Sequence, residues 1–305
     1  MLAATGLGRR FGERLAVDSV DLQVRPGEIF GVLGPNGAGK TTTLRMLGGL
    51  IPPTTGKVEI EGVELTRETA PALRRRIGFL TETPGLWETL PVAANLSIYG
   101  RLFGVQDLDT AVERALRRFD LWDRRDEPAS VLSKGMKQKL ALARTLLHDP
   151  EIVLLDEPTA NLDPTTARDV RDLLLDLKAR GRAIIVSTHN LDEIERVADR
   201  VALISTRLIA SGPPAELRRR LFGCRLRVRL AARPADALTG LLEQHGAANI
   251  EVDGTAVTMA VDDLDVQTPA LVRALVDAGA AICEVTEEHP SLEDVYLRLL
   301  GGGRA

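Results

Sequence analysis

The sequence has little of what marks secreted, membrane-spanning or nucleic-acid-binding chains. Only two cysteines occur in 305 residues, Cys224 and Cys283, and we predict that both are reduced. The longest uninterrupted apolar runs are a few residues, far short of the roughly 20 that span a bilayer. No charged-then-apolar signal segment opens the chain, so we expect a cytoplasmic protein. The formal net charge of −4 gives no support for nucleic-acid binding.

The most informative stretch is residues 31–43, which contains a phosphate-binding loop. The pattern G-x-x-x-x-G-K-[ST] is filled by Gly34, Gly39, Lys40 and Thr41. Glycines let successive backbone N–H groups point at an anion, Lys40 adds charge for the β- and γ-phosphates, and the Thr41 hydroxyl can ligate Mg²⁺. An apolar strand at 28–33 precedes the loop and a helix at 42–47 follows it, so the helix N-terminus also faces the phosphate. That order disfavours the alternative, a chance glycine loop before a helix.

Two carboxylates end a second apolar strand. The continuous run from Ile152 to Leu155 is typical of a central parallel strand buried on both faces. Asp156 and Glu157 follow at its carboxyl end, where α/β sheets bind ligands. We predict that Asp156 holds Mg²⁺ through water and that Glu157 polarises the attacking water. A solvated acidic turn is the weaker interpretation, because the same chain already has a phosphate loop.

Two further residues have a functional and a structural interpretation. His189 ends another buried strand at 183–188, from which it can reach a γ-phosphate, although a lone histidine is usually structural. Phe11 lies in a turn-like stretch, where it is either a stacking partner for a purine base or a half-exposed hairpin aromatic. Residues 132–149 are predicted to be a loop and a helix, with Ser133 as the N-cap.

Together these motifs resemble the nucleotide-binding subunit of an ABC transporter over about residues 1–220. Residues 34–42 match Walker A, and residues 152–157 match Walker B with its catalytic glutamate. Residues 132–136 stand where the ABC signature Leu-Ser-Gly-Gly-Gln belongs, and residues 160–163 resemble the D-loop. The resemblance implies the α/β fold of a P-loop ABC ATPase: a RecA-like core sheet, an antiparallel β subdomain and a helical insertion at about 82–131.

The resemblance also implies a set of functional residues. The nucleotide contacts are Phe11, Gly34, Pro35, Asn36, Gly37, Ala38, Gly39, Lys40, Thr41, Thr42, Glu82, Ser133, Lys134, Gly135, Met136 and Asp163. The Mg²⁺ ligands are Thr41, Glu82 and Asp156. The catalytic residues are Glu157, His189 and Lys40, with His189 as the switch histidine. Phe11 takes the place of the adenine-stacking aromatic.

Two departures from the family pattern indicate a branch. The signature has Lys134 in place of Gly and Met136 in place of Gln, and the Q-loop glutamine is replaced by Glu82. A carboxylate at that position can still hold Mg²⁺ or water, but it adds negative charge beside a triphosphate. Both variants resemble the exporter branch that contains drug and antibiotic efflux ATPases of the daunorubicin-resistance type.

Membership in that branch implies ATP hydrolysis by a head-to-tail homodimer that drives export, such as drug efflux, through a separate membrane permease. The protein is then peripheral on the cytoplasmic face of the membrane. We expect permease docking near residues 82–125, where Leu86 and Trp87 look exposed, with a covered core tryptophan as the alternative. The competing interpretation is a soluble ABC-type ATPase with a regulatory role. Ribosome-acting relatives usually carry two cassettes in one chain, and this chain has one.

The last residues, 223–305, are predicted to form a separate domain after an ATPase domain at 1–222. Their strand and helix patterns follow the order βαββαβ with a trailing helix, which is typical of a ferredoxin-like fold. The first and last strands are then antiparallel neighbours. Cys224 and Cys283 both start their strands, which puts them at opposite ends and makes a disulfide unfavourable. Acidic residues outnumber arginines here, which argues against RNA binding.

Overall fold

In a computed structural model of the chain, the described residues are 1–160, 162–234, 236–288 and 291–301. They divide into two compact units, Met1–Pro213 and Pro214–Ala305. The division lies before helix α8 (Pro214–Phe222), not after it as the sequence predicts. The reason is that α8 contacts the last helix, where the Arg298 guanidinium lies 4.7 Å from the centre of the Phe222 ring. Asn161 of the predicted D-loop lies outside the described residues.

The first unit alternates strands and helices. Its strands are β1 (Leu2–Phe11), β2 (Arg14–Val24), β3 (Ile29–Leu33), β4 (Thr55–Ile60), β5 (Val63–Glu64), β6 (Ile77–Leu80), β7 (Ile152–Asp156), β8 (Ala183–Thr188), β9 (Arg200–Ser205) and β10 (Arg207–Gly212). Its helices are α1 (Lys40–Leu47), α2 (Ala70–Leu73), α3 (Val92–Phe103), α4 (Leu108–Arg118), α5 (Lys134–Leu146), α6 (Pro164–Ala179) and α7 (Leu191–Glu195).

The strands form one mixed sheet in the order β5-β4-β1-β2-β10-β9-β3-β8-β7-β6. The stretch from β9 to β6 is parallel, β10 is antiparallel to β9, and β1, β2, β4 and β5 form an antiparallel part. All residues of β3, β7 and β8 are buried, as expected of parallel strands covered on both faces. These two parts are the core sheet and the β subdomain that the sequence predicts.

Helix α1 connects the two parts of the sheet. It contacts β7 and β8 on the parallel side and β1 and β2 on the antiparallel side. Leu44, Met46 and Leu47 bury its apolar face in a core shared with both. The main hydrophobic core therefore fixes α1, and with it the end of the phosphate loop that precedes this helix.

The predicted helical insertion, at about 82–131, lies between β6 and β7 and contains α3 and α4, and α5 follows it. A row of rings lines one side of it: the centroids of Trp87 and Tyr99 are 5.7 Å apart, and Phe103 stacks on His148 at 4.1 Å. The buried Arg144 guanidinium lies 4.5 Å from the Tyr99 ring centre and donates to backbone carbonyls at the loop end of the insertion. Trp87 is 41% exposed, so it is not a covered core residue.

The second unit contains its own sheet and core. After α8 its elements are β11 (Cys224–Leu230), α9 (Asp236–Gln244), β12 (Ala248–Asp253), β13 (Ala256–Val261), α10 (Leu264–Asp277), β14 (Ile282–Glu287) and α11 (Leu292–Gly301). The antiparallel sheet has the order β12-β13-β11-β14, which is the ferredoxin-like order, and β11 and β14 are neighbours as predicted. Leu226, Val228 and Leu230 point from β11 into the core.

Two properties of the chain concern its compartment: the state of its cysteines and the apolar length of its helices. Cys224 and Cys283 are both free thiols, because antiparallel pairing of Leu226 with Glu287 and of Leu230 with Ile282 separates them along the sheet. Among the helices of the described residues, none combines the length and the apolar character needed to cross a bilayer.

Acidification is expected to destabilise the first unit through His148. Burial lowers the pKa of the His148 imidazole, against smaller raising effects of the Ile77 carbonyl and of Asp149. The unfolded chain takes up this proton near pH 6.5 and the folded chain only at lower pH, so the free energy of unfolding falls as pH drops through about 6.5. Urea unfolding followed by tryptophan fluorescence reports this unit, since Trp87 and Trp122 both lie in it.

The His148→Gln variant should lose less stability than wild type between about pH 7.5 and about pH 5.5. His245→Gln, at an exposed position in the second unit, is the control and should follow wild type. Equal pH dependence of wild type and His148→Gln would contradict this account.

Candidate functional site

The phosphate loop runs from the end of β3 to the start of α1 and depends on glycine where the chain passes closest to its neighbours. Gly39, just before α1, has φ +99°, and a Cβ there would lie 2.6 Å from the Ala16 carbonyl oxygen of β2. At Gly34, a Cβ would collide with the Ile204 carbonyl of β9. The loop is thus confined between two strands that only glycine can approach so closely.

Lys40 is the first residue of α1 and is 7% exposed. Its ammonium donates to the carbonyl oxygens of Gly34 at 2.8 Å and Pro35 at 3.4 Å. It also lies 3.4 Å from Oε1 of Glu157. The charge expected to meet a phosphate is therefore held inside the loop, and its nearest counter-charge is the predicted catalytic carboxylate.

The Asp156 carboxylate, 1% exposed, lies beside the Thr41 hydroxyl at the end of β7. Thr41 Oγ1 donates to Asp156 Oδ1 at 3.1 Å. Ser187, which pairs with Asp156 across β7 and β8, donates its hydroxyl to the same oxygen at 2.5 Å. A hydroxyl and a carboxylate side by side form an oxygen donor set that suits Mg²⁺. No group of three or more His, Cys, Asp or Glu able to hold a metal occurs within the described ranges.

Glu157 and His189 form the second pair of the site. The Glu157 carboxylate is almost fully buried, and its Oε2 lies 2.9 Å from His189 Nδ1. The Glu157 backbone has φ +49°, an unusual conformation for a non-glycine residue, and its N–H donates to the Ser187 carbonyl at 3.0 Å. His189, at the end of the neighbouring strand β8, is thus oriented toward the Glu157 carboxylate.

A cleft of about 640 Å³ opens above these groups and collects most of the predicted residues. Its lining is Phe11, Arg14, Ala16, Pro35, Asn36, Gly37, Ala38, Gly39, Lys40, Thr41, Thr42, Glu82, Glu157, Ala160 and His189. Phe11 is 47% exposed and ends β1, with the Arg9 guanidinium 4.7 Å from its ring centre. The Glu82 carboxylate makes no hydrogen bond or ion pair with any described residue and faces this cleft.

Several residues of the site were not predicted from the sequence. Arg14 lines the cleft because it pairs with Phe11 across the turn between β1 and β2. Ser187 reaches Asp156, and the signal that could have found it is a hydroxyl inside an otherwise apolar strand next to the carboxylate strand. Ala16 carries no chemical signal and lines the cleft through its position alone, whereas Ala160 is the first residue of the predicted D-loop.

The signature residues and Asp163 do not line the cleft; they lie together at the starts of α5 and α6. Ser133 caps α5 by accepting a hydrogen bond from the Met136 N–H at 3.3 Å. Asp163 caps α6, and its hydrogen bonds from Thr166 hold the pKa of its carboxyl below the usual value. A Cβ at Gly135 would lie 3.0 Å from the Thr166 hydroxyl, so the two helix starts are in close contact. Lys134 and Met136 flank Gly135 on this second surface.

Comparison with known proteins identifies the same two parts of the chain. Residues 17–160 match the family model described as "ABC transporter", and residues 212–300 match "ATP-binding protein DrrA1-3-like, C-terminal domain". The chain is 36% identical to the daunorubicin resistance ATP-binding protein DrrA3 of Streptomyces coeruleorubidus, over 99% of this chain and 96% of that protein. It is 35% identical to the bacitracin transport ATP-binding protein BcrA of Bacillus licheniformis, over 99% and 98%.

Solved structures of ATP-binding cassettes have the same fold. An ATP-binding subunit of an ABC transporter aligns with a TM-score of 0.68 and 30% identity, over 73% of this chain and 94% of that one. A dimeric post-hydrolysis state of the cassette MJ0796 bound to ADP and Pi aligns with a TM-score of 0.64 and 25% identity, over 70% and 98%. The fold class predicted from the sequence is therefore confirmed.

Substitution of Gly39 by alanine is expected to weaken ATP binding. The new Cβ must move away from the Ala16 carbonyl, which displaces the loop, so we expect a loss of ATP affinity of at least ~10-fold, about 1.4 kcal/mol. Gly181→Ala is the matched control, because Gly181 also has positive φ but a Cβ there meets nothing within 4 Å. Titration with a fluorescent ATP analogue measures both, and wild-type affinity in Gly39→Ala would refute the steric argument.

Proposed function

Because the chain belongs to the ABC transporter family of ATP-binding proteins, we propose that it hydrolyses ATP·Mg²⁺ to drive an exporter whose permease is a separate chain. The observation that carries the proposal is the convergence of three groups on one cleft. These are the Lys40 ammonium, the Thr41–Asp156 pair and the Glu157–His189 pair. They supply phosphate binding, metal binding and water activation, which are the parts that phosphoryl transfer needs.

ATP binds with its phosphates in the loop and its base against β1. Backbone N–H groups at the start of α1 and the Lys40 ammonium bind the β- and γ-phosphates. The Phe11 ring stacks on the adenine, with Arg9 on one of its faces and Arg14 at the same end of the cleft. Binding of the phosphates brings Lys40 a stronger counter-charge than Glu157, which frees the carboxylate for catalysis.

The Thr41 hydroxyl and Asp156 would hold Mg²⁺, with Glu82 of the same cleft as a third oxygen donor. The ion would supply positive charge to neutralise the charge that develops on the phosphate oxygens. The Thr41 hydroxyl donates a hydrogen bond to Asp156, and its oxygen keeps lone pairs that can bind a metal. Glu82 adds negative charge where the family pattern has a glutamine, so it favours the cation more than it favours the nucleotide.

Hydrolysis uses Glu157 as the base. Its carboxylate accepts a proton as water attacks the γ-phosphorus, and the bond from that phosphorus to the oxygen bridging to the β-phosphate breaks. The hydrogen bond from His189 fixes the carboxylate in one orientation. Glu157 is nearly buried, and the small part that stays exposed lines the cleft where the attacking water would lie.

A complete site needs a second copy of the chain. The signature residues Ser133, Lys134, Gly135 and Met136 and the D-loop residue Asp163 lie outside the cleft that holds the other residues. In a head-to-tail homodimer, the start of α5 from one subunit covers the γ-phosphate bound to the other, as a helix N-terminus favours an anion. Lys134 adds a cation to that helix start and has no ion-pair partner among the described residues.

Export of a drug- or antibiotic-like substrate is supported by the relatives, whose names assign them to daunorubicin resistance and bacitracin transport. The permease docks on the insertion, where Trp87 begins the row of rings and Leu86 precedes it, and the ATPase is then peripheral on the cytoplasmic face of the membrane. No nucleic acid takes part. Opening and closing of the dimer transmits the energy of ATP to the permease.

The variant Glu157→Gln is expected to bind ATP but not to hydrolyse it. Loss of the base should lower the rate of phosphate release by about 10²–10⁴-fold. Size-exclusion chromatography with ATP·Mg²⁺ should show the variant as a stable dimer, since the nucleotide between the subunits persists. Glu59→Gln, on β4 of the antiparallel part, is the control and should behave as wild type. Hydrolysis by Glu157→Gln at the wild-type rate would remove Glu157 from the mechanism.

A mixing experiment tests whether the site is shared between two chains. Lys40→Ala disables the phosphate loop and Ser133→Arg disables the signature, so each variant alone should be inactive. In a mixed dimer, one site pairs the intact loop of one chain with the intact signature of the other. In an equal mixture about half of the dimers are mixed, and each of these has one intact site out of two. The mixture should therefore recover at most about a quarter of wild-type activity. No recovery, with mixed dimers present, would contradict two independent composite sites.

A further inference from the structure

Ser187 is the residue of β8 whose chemistry does not fit its surroundings. The first four residues of the strand are apolar, Ser187 and Thr188 end it, and Ser187 is 0% exposed. A hydroxyl that is fully buried needs a hydrogen-bond partner. Its partner is the carboxylate of the strand on one side, because parallel pairing places Ser187 opposite Asp156.

The contact with Asp156 is directed at a single oxygen. Ser187 Oγ donates to Oδ1 at 2.5 Å, a length typical of a charge-assisted O–H···O⁻ bond, and Thr41 Oγ1 donates to the same Oδ1 at 3.1 Å. Oδ2 accepts no hydrogen bond from any of the described residues. Two hydroxyls from two different elements therefore fix the rotation of this carboxylate and leave its other oxygen available.

The same serine also contacts the next residue of the catalytic segment. The Glu157 N–H, held at positive φ, donates to the Ser187 carbonyl at 3.0 Å and lies 3.3 Å from the Ser187 hydroxyl oxygen. Any residue at position 187 provides the carbonyl, but only a residue with a hydroxyl provides the bridge from Asp156 to the Glu157 peptide.

We propose that Ser187 is a positioning residue for the divalent cation: its hydroxyl orients the Asp156 carboxylate toward the metal and braces the Glu157 peptide beside it. Groups that orient metal ligands typically change metal affinity or activity 10–100-fold when they are removed. The inference deepens the proposed function, because it rests on the Mg²⁺ site formed by Thr41 and Asp156.

The test measures metal binding at equilibrium, without turnover. In the full-length chain carrying Glu157→Gln, Mn²⁺ is titrated with ATP kept below the protein concentration, and free Mn²⁺ is followed by electron paramagnetic resonance. The same titration of ATP without protein gives the Mn²⁺ that ATP holds by itself. Adding Ser187→Ala should raise the dissociation constant for Mn²⁺ by ~10-fold or more. Binding of a fluorescent ATP analogue in EDTA should stay unchanged, which separates metal positioning from damage to the loop. With Glu157 restored, the Mg²⁺ concentration for half-maximal hydrolysis should rise likewise.

Three further variants make the test specific. Ser187→Thr keeps the hydroxyl and should retain the parent affinity for Mn²⁺, whereas Ser187→Cys keeps the size but offers only a weak donor and should behave as Ser187→Ala. The cysteine variant decides the question if the alanine variant does not fold. Thr145→Val removes another buried hydroxyl, one that donates to the Ala141 carbonyl, and should change nothing.

Parent-like Mn²⁺ affinity in folded Ser187→Ala or Ser187→Cys overturns the inference, and so does a loss in Ser187→Thr equal to that in Ser187→Ala. A different failure is recognisable on its own. If the parent chain with ATP binds Mn²⁺ no more tightly than ATP alone, the proposed metal site is wrong, and the role of Ser187 falls with it.

Discussion

The pairing of β8 between β3 and β7 is the constraint on which the site depends. In this register Leu33 lies opposite Thr188 and Asp156 opposite Ser187, so three strands end at the same height. The phosphate loop, the two carboxylates and His189 follow directly from those three ends. A shift of one residue along β8 would turn Ser187 away from Asp156 and remove His189 from Glu157, because successive side chains point to opposite faces.

A buried pair of opposite charges lies at the centre of this arrangement. Lys40 and Glu157 are both buried and lie 3.4 Å apart, while the loop carbonyls share the ammonium. Each charge compensates the burial of the other, since a buried charge without a partner is costly. In the proposed mechanism, an incoming triphosphate replaces that partner for Lys40, so electrostatics links nucleotide binding to the release of the Glu157 carboxylate.

Local patterns in the sequence predicted the parts of the site, but not how distant parts meet. The glycine loop, the apolar strands before Asp156 and His189 and the Ser133 cap were predictable because each depends on neighbours in the chain. Ser187 and Arg14 were missed because their roles come from strand register, which a single sequence does not specify. The unit boundary was misplaced for a similar reason: α8 follows the ATPase pattern in sequence but packs with α11.

The signature residues lie at helix starts that are separate from the cleft. This separation affects where in the cell the protein would hydrolyse ATP. In the proposed dimer, a lone chain can hold a nucleotide but lacks the second surface that covers it. The rate of turnover would then depend on the square of the chain concentration, low while copies are dilute and high where a permease brings two of them together. On that proposal, dividing the site between two surfaces restricts ATP hydrolysis to the place of transport.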